Sequence, residues 1–237
     1  MSQLSLFLAF LTGFSTTYGL LLLYTRGKEF PENVERDIFL SYIIGAAVGV
    51  ATAVLRLSAV HSTLSGPGVI SSSLLLVISP LLASLDVMPL HLYLHRKTFV
   101  GKPQALYASL SMAMGMGAME ITFKVYRLLS TPGFYETYLL PLSLIFFILS
   151  SLLIRMALGL DVGEKETRGE PFRSLILPLL VMSAFNFLMA FYQLDWTLWP
   201  MTALALILSY FYLKRVAASL MRRRRALEAL ERKHFKV

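Results

Sequence analysis

Seven stretches of this chain are apolar for long enough to cross a bilayer: Gln3 to Tyr24, Ile38 to Leu57, Gly68 to Leu90, Gln104 to Leu129, Phe134 to Leu158, Phe172 to Tyr192 and Thr197 to Tyr212. A helix rises about 1.5 Å per residue and the hydrocarbon layer is about 30 Å thick, so each stretch suffices for one crossing. The apolar residues come in these blocks rather than as amphipathic stripes, and only 15% of the chain is charged, which no soluble domain of this size resembles. The expectation is an all-α, polytopic integral membrane bundle of seven transmembrane helices over residues 1–213, followed by a basic cytoplasmic helix or tail over 214–237. The last block is the shortest, but Pro200 suits a first helical turn, and Lys214 and Arg215 are placed to reach back to the interface. The first block has neither a basic leader nor a small-residue cleavage site, so it reads as a retained span.

Charge orients the bundle. With the N-terminus outside, the inner side receives Arg26, Lys28, Arg36, Arg96, Lys97, Lys102, Arg155, Lys165, Arg168, Arg173 and the basic tail, and only Arg56, Lys124 and Arg127 fall outside. Positively charged loops stay in the cytoplasm, so the chain reads as N-out and C-in, a multi-pass protein of the cell membrane. Phe134, Tyr135, Tyr138, Tyr192, Trp196 and Trp199 gather at the expected outer interface. The formal charge of +8 comes largely from the tail, beside a membrane segment, so anionic lipid headgroups are its expected partners and nucleic acid is not. Cysteine is absent, which excludes disulfides, thiolate metal sites and cysteine nucleophiles.

Water does not drive helices together in lipid, so close backbone approach through small residues has to do it. Ser41, Gly45, Gly49 and Ala53 form one such line on the second segment, and Ser109, Ala113 and Gly117 another on the fourth. These read as seams inside the bundle, with contact between copies of the chain as the alternative. The connections Thr25 to Asp37 and Asp161 to Glu170 read as solvated charged loops.

Glu120 is the residue most in need of explanation. It lies about 24 Å along the fourth segment from Gln104, in the expected outer third of the membrane. Lys124 stands one turn further on, so a pair within one helix is one reading. The other is a solute, ion or proton site, because ionisable groups at such depth tend to line cavities. Arg56, His61 and Asn186 reach similar depth, as do Ser71, Ser72 and Ser73, and together with Glu120 and Lys124 they make the candidate binding set. Met112, Met114, Met116 and Met119 suit core packing better than copper. His91 and His95 share a helical face but lack the third ligand that a catalytic zinc needs, so no metal or cofactor is expected. Asp86, near the same inner end, could bind a cation there, but helix-end solvation is the easier account. In the tail, Glu228 is spaced to pair with Arg224 and Arg232.

Known membrane families leave no match. The last segment has no lysine to hold retinal, Pro141 is followed by Leu142 rather than the glutamine of the sugar-transporter signature, and Gly159-Leu160-Asp161 is a poor likeness of an aspartyl-protease motif. Three functions stay open: a small transporter or channel with an outward-facing polar site at Glu120, a non-catalytic subunit or assembly factor of a larger membrane complex, and an intramembrane enzyme acting on a lipid. The last would need Glu120, His61 and Arg56 to converge.

Overall fold

A computed structural model describes residues 3–28, 30–64, 72–96, 99–130, 140–170, 173–194 and 200–234. Its regular elements are seven helices: α1 (Gln3–Thr25), α2 (Glu32–Leu64), α3 (Ser72–Leu94), α4 (Gln104–Leu129), α5 (Leu140–Thr167), α6 (Arg173–Leu194) and α7 (Pro200–His234). All except α4 are long and apolar enough to cross a membrane, which supports a multi-pass membrane protein. Large apolar side chains stand exposed around the rim of the bundle, among them Phe7, Phe39, Val77, Leu149, Leu180 and Phe211. Such a surface suits lipid rather than water.

The one helix outside that set of six is the hub. α4 packs against α1, α2 and α5, and none of its large apolar side chains is exposed. Its buried face is built from Ala105, Ala108, Ser109, Ser111, Ala113, Gly115, Gly117 and Ala118, with Met112, Met114 and Met116 filling gaps. A helix surrounded by other helices needs small residues more than oily ones, and this is why α4 is poorer in apolar character than the helices around it.

Both small-residue lines lie at helix contacts inside the bundle. A Cβ on Gly45 would stand 2.1 Å from the carbonyl oxygen of Met112, and one on Gly115 2.2 Å from that of Tyr42, so α2 and α4 meet backbone to backbone. On the other flank, Gly159 and Gly163 of α5 sit against Leu110 and Leu106 of α4, with Ala113 and Ser109 alongside. Polar ties cross the same seams: Ser111 donates to the Ile38 carbonyl at 2.5 Å, and the hydroxyls of Thr17 and Tyr42 lie 2.8 Å apart. α3 pairs with α6, and α7 with α5.

The basic connections collect at one end. Lys28 lies 4.0 Å over the Tyr24 ring and 4.8 Å over that of Tyr107, which brings the α1–α2 turn to the start of α4. Gly101, at φ 72°, turns the chain between α3 and α4, and its N–H donates to the Glu166 carbonyl at 3.3 Å, joining that turn to the end of α5. At the same end Arg223 of α7 donates to Thr167 at 2.7 Å. α7 runs unbroken beyond residue 214; there Val216 is buried, and Ser219 donates to Glu164 of α5 at 3.0 Å.

One expectation fails here. Residues 161–167 are not a solvated loop but the last two turns of α5, and Asp161, Glu164 and Glu166 are all buried. Each carboxylate has partners that make burial tolerable: Asp161 accepts from Lys165 at 2.8 Å and from the Tyr212 hydroxyl at 2.7 Å, and Glu164 from Arg168 and from Ser219 at 3.0 Å. The start of the fifth expected segment, residues 134–139, and the outer aromatic residues Trp196 and Trp199 lie outside the described residues, and so do the side chains of Tyr192, Arg224, Glu228 and Arg232.

Candidate functional site

Five helices each send a polar side chain to one point in the bundle. Arg56 comes from α2, Asp86 from α3, Glu120 and Lys124 from α4, Arg155 from α5 and Asn186 from α6. Asp86, Arg155 and Glu120 are 0%, 1% and 4% exposed, a depth at which an ionised group survives only if paired.

The pairing saturates the carboxylates. Glu120 Oε1 accepts from Arg56 Nη1 at 2.8 Å and from Lys124 Nζ at 2.7 Å. Its Oε2 accepts from Arg155 Nε at 3.0 Å and Nη2 at 2.5 Å. Asp86 Oδ1 accepts from Arg155 Nη2 at 2.6 Å, and Oδ2 accepts from Arg56 Nη2 and from Asn186 Nδ2 at 3.3 Å. Each arginine thus bridges both carboxylates, the two-pronged recognition for which a guanidinium is shaped.

Local sequence makes room for this. Glu120 and Lys124 are one helical turn apart, so they share a face of α4. Gly117, a turn earlier, lies against the stem of Arg155, and a Cβ there would come 3.0 Å from Arg155 Cγ. Lys124 stands 5.0 Å over the Phe147 ring of α5 and is the most open of the five charges, its side chain 16% exposed.

The balance of groups is uneven. Three cations face two carboxylates, leaving one positive charge over. Among the described residues Arg56 Nε and Arg155 Nη1 are buried N–H groups with no acceptor. The cluster is therefore short of acceptors and of negative charge, and a ligand that completed it would have to bring both.

Of the candidate residues read from the sequence, Glu120, Lys124, Arg56 and Asn186 come together, and the reading of Glu120 as paired with Lys124 alone is too narrow. The side chain of His61, with those of Ser72 and Ser73 and all of Ser71, lies outside what is described, so the convergence that an enzyme would need is limited to Arg56 and Glu120. Asp86 and Arg155 were missed. Asp86 was read as a solvated helix end and Arg155 as an inner-loop cation. In fact α3 runs eight residues past Asp86 and α5 twelve past Arg155, which puts them about 12 and 18 Å from those helix ends. The available signal was that both charges are flanked by apolar residues on either side, Ser-Leu-Asp-Val-Met and Leu-Ile-Arg-Met-Ala. Counted on α4 itself, Glu120 lies about 24 Å from Gln104 and about 14 Å from Leu129.

A separate groove of about 500 Å³ between α1 and α2 is lined by Phe14, Ser15, Tyr18, Phe39, Tyr42, Ile43 and Ala46 and carries no charge. No family model, no curated protein and no solved structure matches this chain.

Proposed function

We propose that the chain is a seven-span protein of the cell membrane, N-out and C-in, that passes or carries a small anionic solute through the site formed by Arg56, Lys124 and Arg155, with Glu120 and Asp86 holding the cations in place. The observation that carries this reading is the surplus of buried positive charge and unmet guanidinium N–H groups at mid-bundle, which favours a ligand with negative charge and acceptor oxygens or a halide. Asn186 completes the polar wall on the α6 side. His61 is retained as a further candidate contact on the extension of α2.

The orientation draws support from the gathering of the basic turns and the α7 extension at one end. Setting aside the three cations of the cluster leaves Arg127 as the one basic residue assigned to the opposite side. The basic tail is read as bound to anionic headgroups. Because the chain has no cysteine, single introduced thiols report sidedness directly. Lys236→Cys is expected to react with a membrane-impermeant maleimide only after permeabilisation, and Ser2→Cys before it; the opposite pattern would reverse the assignment, and labelling of both from one side would refute an odd number of spans.

The functional test uses purified full-length protein in liposomes, with chloride and then acetate as probes and uptake read from an entrapped indicator. Lys124→Gln removes the surplus charge but leaves the Arg56, Asp86, Glu120 and Arg155 lattice its balance, so it is expected to lower anion flux at least tenfold with folding intact. The saturation of all four carboxylate oxygens favours a second reading, in which the cluster only locks five helices and the chain is a non-catalytic subunit of a membrane complex. Absence of flux of both probes through wild-type vesicles would favour that role.

A further inference from the structure

The pairs at the basic end of the bundle follow a pattern with one exception. Asp161 and Glu164 each pair with a cation four residues on, whereas the residue four beyond Glu166 is Glu170. Glu166 is nevertheless 1% exposed, and the ionisable partner described for it is an imidazole: His91 Nδ1 lies 2.8 Å from its Oε1. Ser174, at the start of α6, stands 3.3 Å from the same oxygen and 3.1 Å from His91 Nδ1. His95 follows one turn after His91, its ring stacked at 5.6 Å between centroids and inclined by 30°. One ligand atom from each of His91, His95 and Glu166 falls within 4.8 Å of the others.

We propose that His91, His95 and Glu166 form a three-ligand site for one divalent transition ion, with zinc the best chemical match. Two imidazoles and a carboxylate are borderline-to-hard donors, the set typical of zinc sites that keep a fourth position open. Ligand atoms about 2.0–2.1 Å from a tetrahedral ion stand about 3.3 Å from one another. Reaching that spacing requires His91 and Glu166, now 2.8 Å apart, to part slightly and His95, exposed just past the end of α3, to rotate. The ion would sit between His91 Nδ1 and Glu166 Oε1, in place of their direct contact. Its charge meets the buried carboxylate and the carbonyl end of α3, where a cation is favoured. Arg96, the nearest described arginine in sequence, lies 5.1 Å over the Tyr93 ring. Ser174 is placed to hold the liganding carboxylate in position, and the site ties the ends of α3 and α5 together beside α6. This site is separate from the mid-bundle charges and does not depend on their role.

The test uses full-length protein purified in detergent on an affinity tag without histidine, stripped with a chelator and titrated with zinc alone. One equivalent is expected to bind and to raise the unfolding temperature, and cobalt in its place to give the visible absorption of a low-coordinate site. His95→Ala and Glu166→Gln are each expected to weaken zinc by more than the roughly 10–100-fold that loss of an outer-sphere partner costs. Lys124→Gln is expected to bind zinc as the parent does. Should Glu166→Gln fail to fold, His95→Ala decides the matter, since an exposed side chain carries little of the core. No zinc bound at one equivalent, or zinc held as tightly by the His95 and Glu166 variants as by the parent, would overturn the assignment.

Discussion

Glu120→Ala is expected to cost about 3–5 kcal/mol of stability, the range for removing one partner of a buried ion pair. The size follows from what the carboxylate holds: it accepts from Arg56, Lys124 and Arg155, from three helices, while it is itself only 4% exposed. Without it, three cations crowd against Asp86 alone, and Arg155 Nε joins the N–H groups lacking an acceptor. Thermal or denaturant unfolding in micelles measures the loss. Lys124→Ala provides the contrast, because it removes the most open and surplus charge, and a much smaller loss is expected. A Glu120→Ala protein as stable as the parent would mean that α2, α4 and α5 are not tied together through this carboxylate.

Gly45→Leu is expected to prevent folded accumulation in the membrane. Even the first carbon of a side chain at this position would meet the Met112 carbonyl at 2.1 Å, and backbone cannot move aside as a flexible side chain does. Overpacking typically costs about 1–3 kcal/mol, and the upper end or beyond applies where the obstacle is main chain. The matched control is Gly19→Leu on α1, where nothing lies within 4 Å of the added carbon and a near-neutral outcome is expected. Comparable yields and unfolding temperatures for the two variants would show that α2 and α4 are not in backbone contact.

Much of the architecture was legible because lipid imposes a length on every crossing. The Gly45 and Gly49 line was readable for the same reason that it packs: small residues at four-residue spacing have no better use on an apolar helix. What composition could not show is which helix lies at the centre, since α4 looks less like a membrane span as it becomes more enclosed. Glu120 was visible as a misfit among apolar neighbours. Asp86 and Arg155 are equally misplaced in lipid, but each sat near the assumed end of its block, where a charge looks solvated. Moving the end of α5 to Thr167 changes Arg155 from a loop cation into a core one, and Glu166 from a solvated acid into a buried partner of His91. Both changes turn on three-dimensional neighbours far away in sequence, Asp86 and Glu120 for Arg155 and His91 for Glu166.

The enclosure of α4 also bears on how such a chain is made. A translocon releases segments into lipid one after another, and each charge at the centre of a lone helix costs about 2.5–3.5 kcal/mol on insertion. On the seven-span reading, α4 carries both Glu120 and Lys124 with few large apolar side chains to offset them, so it is a poor passenger by itself. Its flanks are supplied by α1 and α2, synthesised before it, and its counter-charge by Arg56 on α2 and by Arg155 on α5, synthesised just after. On that reading chain order is expected to matter for biogenesis: the middle helix would enter the membrane as a guest of those already there and be locked in by the next to arrive.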